Sequence, residues 1–229
     1  HGPKSVQDFI IRQDFLKDLS QEEKLTLISS PQESQAIRDI EDFTNLKLEL
    51  GVEADHFDLR SGFVLNEGKV IQLFLEHEDL REIPKSITKL INLEKLYIGS
   101  QALNELPNWI SELAILRDLG FDLDNLNKFP ESLFKLNNLE HLGFKLDILS
   151  QIPDKFGQLK SLKSLFITMN KLKDLPHSLG KLEKLEKLTI NSVCLKSLPK
   201  SIGNLKNLKS LFIRYSPLEI LPESINGLV

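Results

Sequence analysis

A stacked-repeat solenoid of α/β class is predicted by two observations. Prolines recur every 23 residues, at Pro84, Pro107, Pro130, Pro153, Pro176, Pro199 and Pro222. Leucines keep fixed phases between them over seven units, without a slip. Each unit opens on an apolar residue: Val70, Leu93, Leu116, Leu139, Leu162, Leu185 and Leu208. A leucine follows three residues later, from Leu73 to Leu211, and another ten residues after the opening, from Leu80 to Leu218. The unit closes on a leucine, from Leu90 to Leu228. One such unit cannot bury its own leucines, but a stack of them can, so a sustained period of this length reads as a solenoid.

Within the unit, each piece has a physical reading. In Leu165-Phe166-Ile167 the first and third side chains point inward and the second outward, as on a short strand. The chain turns at Leu172. Pro176 has a fixed φ and no N–H, which suits the start of a helical turn. Leu179 and Leu182, three apart, then fit a 3-10 or short α turn. Stacking places parallel strands about 4.8 Å apart.

These residues resemble the leucine-rich-repeat family, in its LxxLxLxxNxLxxLPxxIxxLxx form, over residues 70–229. Leu195-Lys-Ser-Leu-Pro-Lys-Ser-Ile202 resembles bacterial members, spirochaete and effector proteins among them, and is similar to plant and animal Ras-pathway repeat proteins. The resemblance implies a right-handed solenoid, or horseshoe. Its concave side is a parallel sheet, its convex side carries short 3-10 or α turns, and a helical cap covers the N-terminal end. One feature departs from the family. Its buried asparagine, eight residues after each opening, is kept only as Asn170; the other units have Glu78, Gln101, Asp124, Asp147, Val193 and Ser216. Val193 cannot hydrogen-bond through its side chain, so looser turns are expected.

Residues 5–50 read as helices. Ser20 with Glu23, and Ser30 with Glu33, have capping-box spacing, and Pro31 suits a first helical position. Val6, Phe9, Ile10, Leu16 and Leu19 share one helical face; Ala36, Ile37, Ile40 and Phe43 share another. Phe63-Val64-Leu65, a turn at residues 66–69, and Val70 read as a hairpin into the first repeat. The expected division is a helical cap with entry hairpin over 1–69 and seven repeats over 70–229. The C-terminus shows no cap. Leu211, Ile213, Leu218, Leu221 and Ile225 are expected to face solvent there, so either the natural protein continues or this end pairs with another molecule, as in an end-to-end homodimer.

Several functions have no signal. A net charge of −4 gives no footprint for nucleic acid, and no apolar run is long enough to span a bilayer. Cys194 is the sole cysteine, so no disulfide can form within the chain. It reads as a buried small hydrophobe. His77 sits with Glu76, Glu78 and Asp79, but strand alternation splits them and no second histidine has ligand spacing. No phosphate loop, dinucleotide fingerprint or paired-carboxylate site appears, so neither catalysis nor a cofactor is expected.

Binding is therefore expected on the outward strand residues. The middle row reads Phe74, Tyr97, Gly120, Gly143, Phe166, Thr189 and Phe212; the row beside it reads His77, Ser100, Leu123, Leu146, Met169, Ser192 and Tyr215. Leu123, Leu146 and Met169 are expected to form an exposed apolar patch, which is what interfaces use. The candidate partner-binding residues are Tyr97, Leu123, Leu146, Phe166, Met169, Phe212 and Tyr215, with Tyr97, Leu146, Phe166 and Met169 as anchors. Another row, Glu94, Arg117, Glu140, Lys163, Glu186 and Lys209, alternates in sign and reads as ion pairs between repeats. Trp109 and Phe134 read as convex-side packing. The function expected is a non-catalytic module for a protein partner, bacterial and directed at a host, secreted or surface-exposed. Alternatives are the substrate-recognition part of a larger effector ubiquitin ligase, or a self-assembling structural protein.

Overall fold

The computed structural model describes residues 16, 18–51 and 61–228. Helices α1 (Gln21–Thr26) and α2 (Pro31–Thr44) precede one sheet whose strands lie in chain order. The strands are β1 (Glu49–Gly51), β2 (Gly62–Asn66), β3 (Lys69–Glu76), β4 (Lys95–Ser100), β5 (Asp118–Leu123), β6 (His141–Leu146), β7 (Ser164–Thr168), β8 (Lys187–Asn191) and β9 (Ser210–Arg214). A 3-10 turn follows each strand from β3 onward: η1 (Lys85–Lys89), η2 (Asn108–Glu112), η3 (Glu131–Lys135), η4 (Asp154–Gln158), η5 (His177–Lys181), η6 (Lys200–Asn204) and η7 (Glu223–Gly227). This is an open stack of one-strand, one-turn units, the architecture that the resemblance implies.

The sheet is parallel from β3 to β9, and its register follows the sequence period. Leu73 pairs with Leu96, then Leu119, Leu142, Leu165, Leu188 and Leu211 in turn. Prolines enter the turns at φ between −71° and −64°, the value their ring imposes. The predicted hairpin forms: β2 runs antiparallel to β3 across Glu67 and Gly68, both at positive φ. Such a two-residue turn matches the twist of its strands.

The N-terminal segment differs from the expectation in two places. Residues 49–51 form a strand, parallel to β2, where helix was expected. Phe43 is exposed although it shares its helical face with the buried Ala36, Ile37 and Ile40. Val6, Phe9 and Ile10 lie outside the described residues; Leu16 and Leu19 are half-buried. Ser20 and Glu23 make the full capping box. Ser30 accepts from the Glu33 N–H, but the Glu33 carboxylate turns elsewhere. It accepts from the Val70 N–H at 3.1 Å and from Asn92 Nδ2 at 2.7 Å, buried between α2 and the first repeats.

Two packing devices went unread in the sequence. Phe121, Phe129, Phe134, Phe144 and Phe156 form one buried cluster, with ring centroids 5.1–6.5 Å apart. Phe134 thus packs inward, and Trp109 is half-buried against the core. On the convex side Gly157, Gly180 and Gly203 share one phase of the repeat. A Cβ on Gly157 would stand 2.6 Å from the Ser178 backbone oxygen; Gly180 meets Ser201, and Gly203 meets Ser224, in the same way. Thr88 and Phe134 occupy that phase earlier, and there successive turns pack less closely.

At the other end, Leu211, Ile213, Leu218 and Ile225 are half-buried rather than solvent-facing, because they still pack on repeat six. Leu221 is exposed, as expected.

Candidate functional site

The concave face is built by strand alternation. On β5, Asp118, Gly120 and Asp122 point out while Leu119, Phe121 and Leu123 point in. The strand runs on through Leu123, and so does the alternation, which corrects one expectation. Leu123, Leu146 and Met169 are fully buried, so they form no exposed patch and cannot serve as surface anchors. Their row lies on the same face of the strand as the core leucines. Ser100 and Ser192 occupy the same row and are buried too.

Those serines do the work expected of the asparagine. Ser100 Oγ donates to the Leu80 carbonyl at 2.7 Å and accepts from the Ala102 and Leu103 N–H groups. Ser192 Oγ donates to the Leu172 carbonyl at 2.9 Å and accepts from the Cys194 N–H. Val193 itself is exposed, as is Asn170. Cys194 is half-buried, not buried.

The other candidates remain at the surface. Phe166 is 43% exposed, Phe212 51% and Tyr215 78%; Tyr97 is half-buried. Phe74 is buried where β2 pairs alongside it. The middle row thus presents Tyr97 at one end and Phe166 with Phe212 at the other, separated by Gly120 and Gly143. Tyr97 pairs with Gly120 in the sheet, and its ring occupies the space that a Cβ there would need. Gly99 similarly makes room for the Glu76 side chain. Arg214 lies 5.6 Å from the Phe212 ring centroid, a cation–π distance.

Charge on the face is uneven. Outward positions of β3–β5 carry Glu76, Asp118 and Asp122 against Lys95; those of β7–β9 carry Lys187 and Arg214 and no carboxylate. Lys145 Nζ donates to both Asp122 oxygens at 3.1 Å, and that bond raises the lysine's pKa. Burial, then the charges of Asp122 and Glu76, push the Tyr97 phenol up to about 12. The alternating row forms its inter-repeat pairs: Glu140 takes Lys163 at 2.6 Å and Arg117 at 2.9 Å, and Glu186 takes Lys209 at 2.8 Å. The Lys163 hydrogen bond holds Glu140 below the usual carboxylate range. His77 Nδ1 accepts from the Asp79 N–H at 3.2 Å. Among the described residues no group of three or more His, Cys, Asp or Glu side chains is placed to hold a metal. No described helix is long and apolar enough to cross a membrane.

Comparisons with known proteins agree with this architecture. The family model of the leucine-rich repeat region matches residues 68–192 and 130–216. No curated protein matches the chain. Among solved structures, the leucine-rich repeat domain of the type III effector XopL is 19% identical, with TM-score 0.53, over 100% of this chain and 94% of that one. A plant ice-binding protein is 17% identical, with TM-score 0.56, over 85% of this chain and 73% of that one. A Leptospira interrogans leucine-rich-repeat protein is 24% identical with TM-score 0.37; the match covers 66% of this chain and spans 56% of that protein's length. The repeat phase, the one-strand, one-turn unit and the family match together make this chain a member of the leucine-rich-repeat family.

Proposed function

We propose that the chain is a non-catalytic module that holds a protein partner on its concave face, with Tyr97, Phe166, Phe212 and Tyr215 in contact. The observation that carries this is the pair of exposed rings, Phe166 and Phe212, standing on a sheet otherwise rich in polar and glycine positions. Exposed aromatics on a rigid scaffold are the usual anchors of interfaces. Residues 1–69 serve as the cap of the repeat stack, its helices closing the end of the core through Ala36, Ile37 and Ile40. The bacterial, host-directed reading, with a secreted or surface-exposed location, rests on the form of the repeat from Leu195 to Ile202.

The test is a photo-crosslinking amino acid at position 166, against one at the convex position 200. The reading expects one protein captured at 166 and not at 200, then reconstituted from purified components. Capture at 200 alone contradicts it.

A further inference from the structure

The β3–β5 end of the concave face differs from the rest in shape as well as charge. A cleft of about 940 Å³ opens there, bounded by the acids Glu49, Glu76, Glu78, Asp122 and Asp124, by Gly99, and by the cations Lys47 and Lys145 among others. Tyr97 stands next to this lining: Cε1 of its ring is 3.5 Å from the Cβ position of Gly99, and the ring lies over Gly120. Two glycines on successive strands are thus what let Glu76 and Tyr97 lie across the sheet. A Cβ at Gly99 would come within 2.9 Å of Glu76 Cγ, and one at Gly120 within 2.8 Å of Tyr97 Cδ2. The result is two carboxylates, Glu76 from β3 and Asp122 from β5, flanking Gly99 in the register, with the Tyr97 ring beside them in the next row.

Charge around the cleft is only partly neutralised from within. Glu49 pairs with Lys24 at 2.8 Å and Asp122 with Lys145 at 3.1 Å. Among the described residues no ion pair joins Glu76, Glu78 or Asp124 to a cation. An aromatic face flanked by carboxylates attracts a cation through both the ring quadrupole and Coulomb's law. The far end of the same face, with Lys187 and Arg214, repels one, so a basic segment has a single seat on this sheet. From β3 to β6 is about 14 Å at the usual strand spacing, the reach of about four extended residues.

We propose that this end of the concave face takes a lysine- or arginine-bearing extended segment of the protein partner, with one cationic side chain over Tyr97 between Glu76 and Asp122. The proposal rests on the concave-face reading above and names the partner's chemistry. It treats β3–β5 as the charged half of the interface and Phe166 with Phe212 as its apolar half.

The experiment titrates the purified full chain calorimetrically with Ac-Ala-Lys-Ala-Arg-Ala-Lys-Ala-amide. The control is the same peptide with glutamine at all three basic positions. The basic peptide binds at low salt and weakens as salt rises; the glutamine peptide binds at least tenfold more weakly. Glu76→Gln with Asp122→Asn lowers affinity about tenfold or more. Tyr97→Leu lowers it by a factor of about 2 to 30, the range of one cation–π contact. Lys200→Gln, on the convex turn η6, leaves it unchanged. Asp122→Asn alone, with an unchanged melting temperature, guards against loss of fold. Equal binding of both peptides, or affinity unchanged in the double variant, overturns the proposal, as does spermidine binding as tightly as the peptide. The two ideas fail separately. A partner still captured at position 166 in undiminished yield by the double variant defeats this proposal and leaves concave-face binding standing. Capture only on the convex side defeats the earlier reading, while the peptides still decide this one.

Discussion

Tyr97 stays neutral to unusually high pH because it is half out of water with Asp122 and Glu76 beside it. The chain has two tyrosines, so Tyr215→Phe leaves Tyr97 as its one phenol. Ultraviolet titration of that variant is expected to show the phenolate forming near pH 12, and Asp122→Asn to bring it lower. The linkage sign follows. A phenol raised in the folded state binds its proton longer than in the unfolded chain. Its contribution to stability is therefore whole below about pH 10 and is lost as pH rises toward 12. A midpoint near 10 in the Tyr215→Phe protein would show that the ring is neither held out of water nor close to the two acids. Glu33 gives a second residue-level prediction. Its removal in Glu33→Ala strands the buried Val70 N–H and frees Asn92, at a cost of about 2–3 kcal/mol in urea unfolding. Neither residue's role was legible in the sequence. Glu33 looked like the second half of a capping box, and only the fold brings Val70 and Asn92 to it.

Elements show where the period is informative and where it misleads. Strand, turn and hairpin positions follow from alternation and from proline phase, and the structure keeps all of them. The exposed-patch expectation failed because the row containing Leu123, Leu146 and Met169 was counted as outward, although β5 and β6 extend the alternation to a sixth residue. The row itself carried a signal: Ser100 and Ser192, small and hydrogen-bonding, stand in it on either side of Leu123, Leu146 and Met169, as a buried position beside a turn would allow. Convex packing carried one too, three glycines at one phase, where a Cβ would meet the next turn's backbone. Gly180→Ala, whose Cβ would collide with the Ser201 carbonyl, is expected to cost about 1–3 kcal/mol. Gly143→Ala is the contrast. Its Cβ would meet only Phe166 Cβ at 3.8 Å, so the substitution should stabilise by about 0.5 kcal/mol through the unfolded chain. Thermal melts of the two variants separate them; equal shifts would mean that turn spacing does not depend on this phase.

At the scale of the molecule, stability is a sum over neighbouring repeats. The phenylalanine cluster spans repeats three and four, whereas in repeat seven neither β9 nor η7 holds a fully buried residue. Hydrogen exchange is therefore expected to be slowest in β5–β7 and fastest in β9. Uniform protection would instead indicate a single cooperative unit. The horseshoe and its family were legible, because copy after copy repeats the same constraint. The face chemistry was not, because it depends on single residues from different repeats: Glu76, Tyr97 and Asp122 meet only after stacking.

That the concave face is the working surface is most directly tested by hydroxyl-radical footprinting of the chain with and without the partner captured at position 166. The account predicts that Tyr97, Phe166 and Phe212 lose reactivity in the complex, while the exposed Phe43, Ile91 and Ile115, away from the strands, keep theirs. Unchanged rates at Tyr97, Phe166 and Phe212, with protection at Phe43, Ile91 or Ile115, would contradict it and move the interface off the sheet.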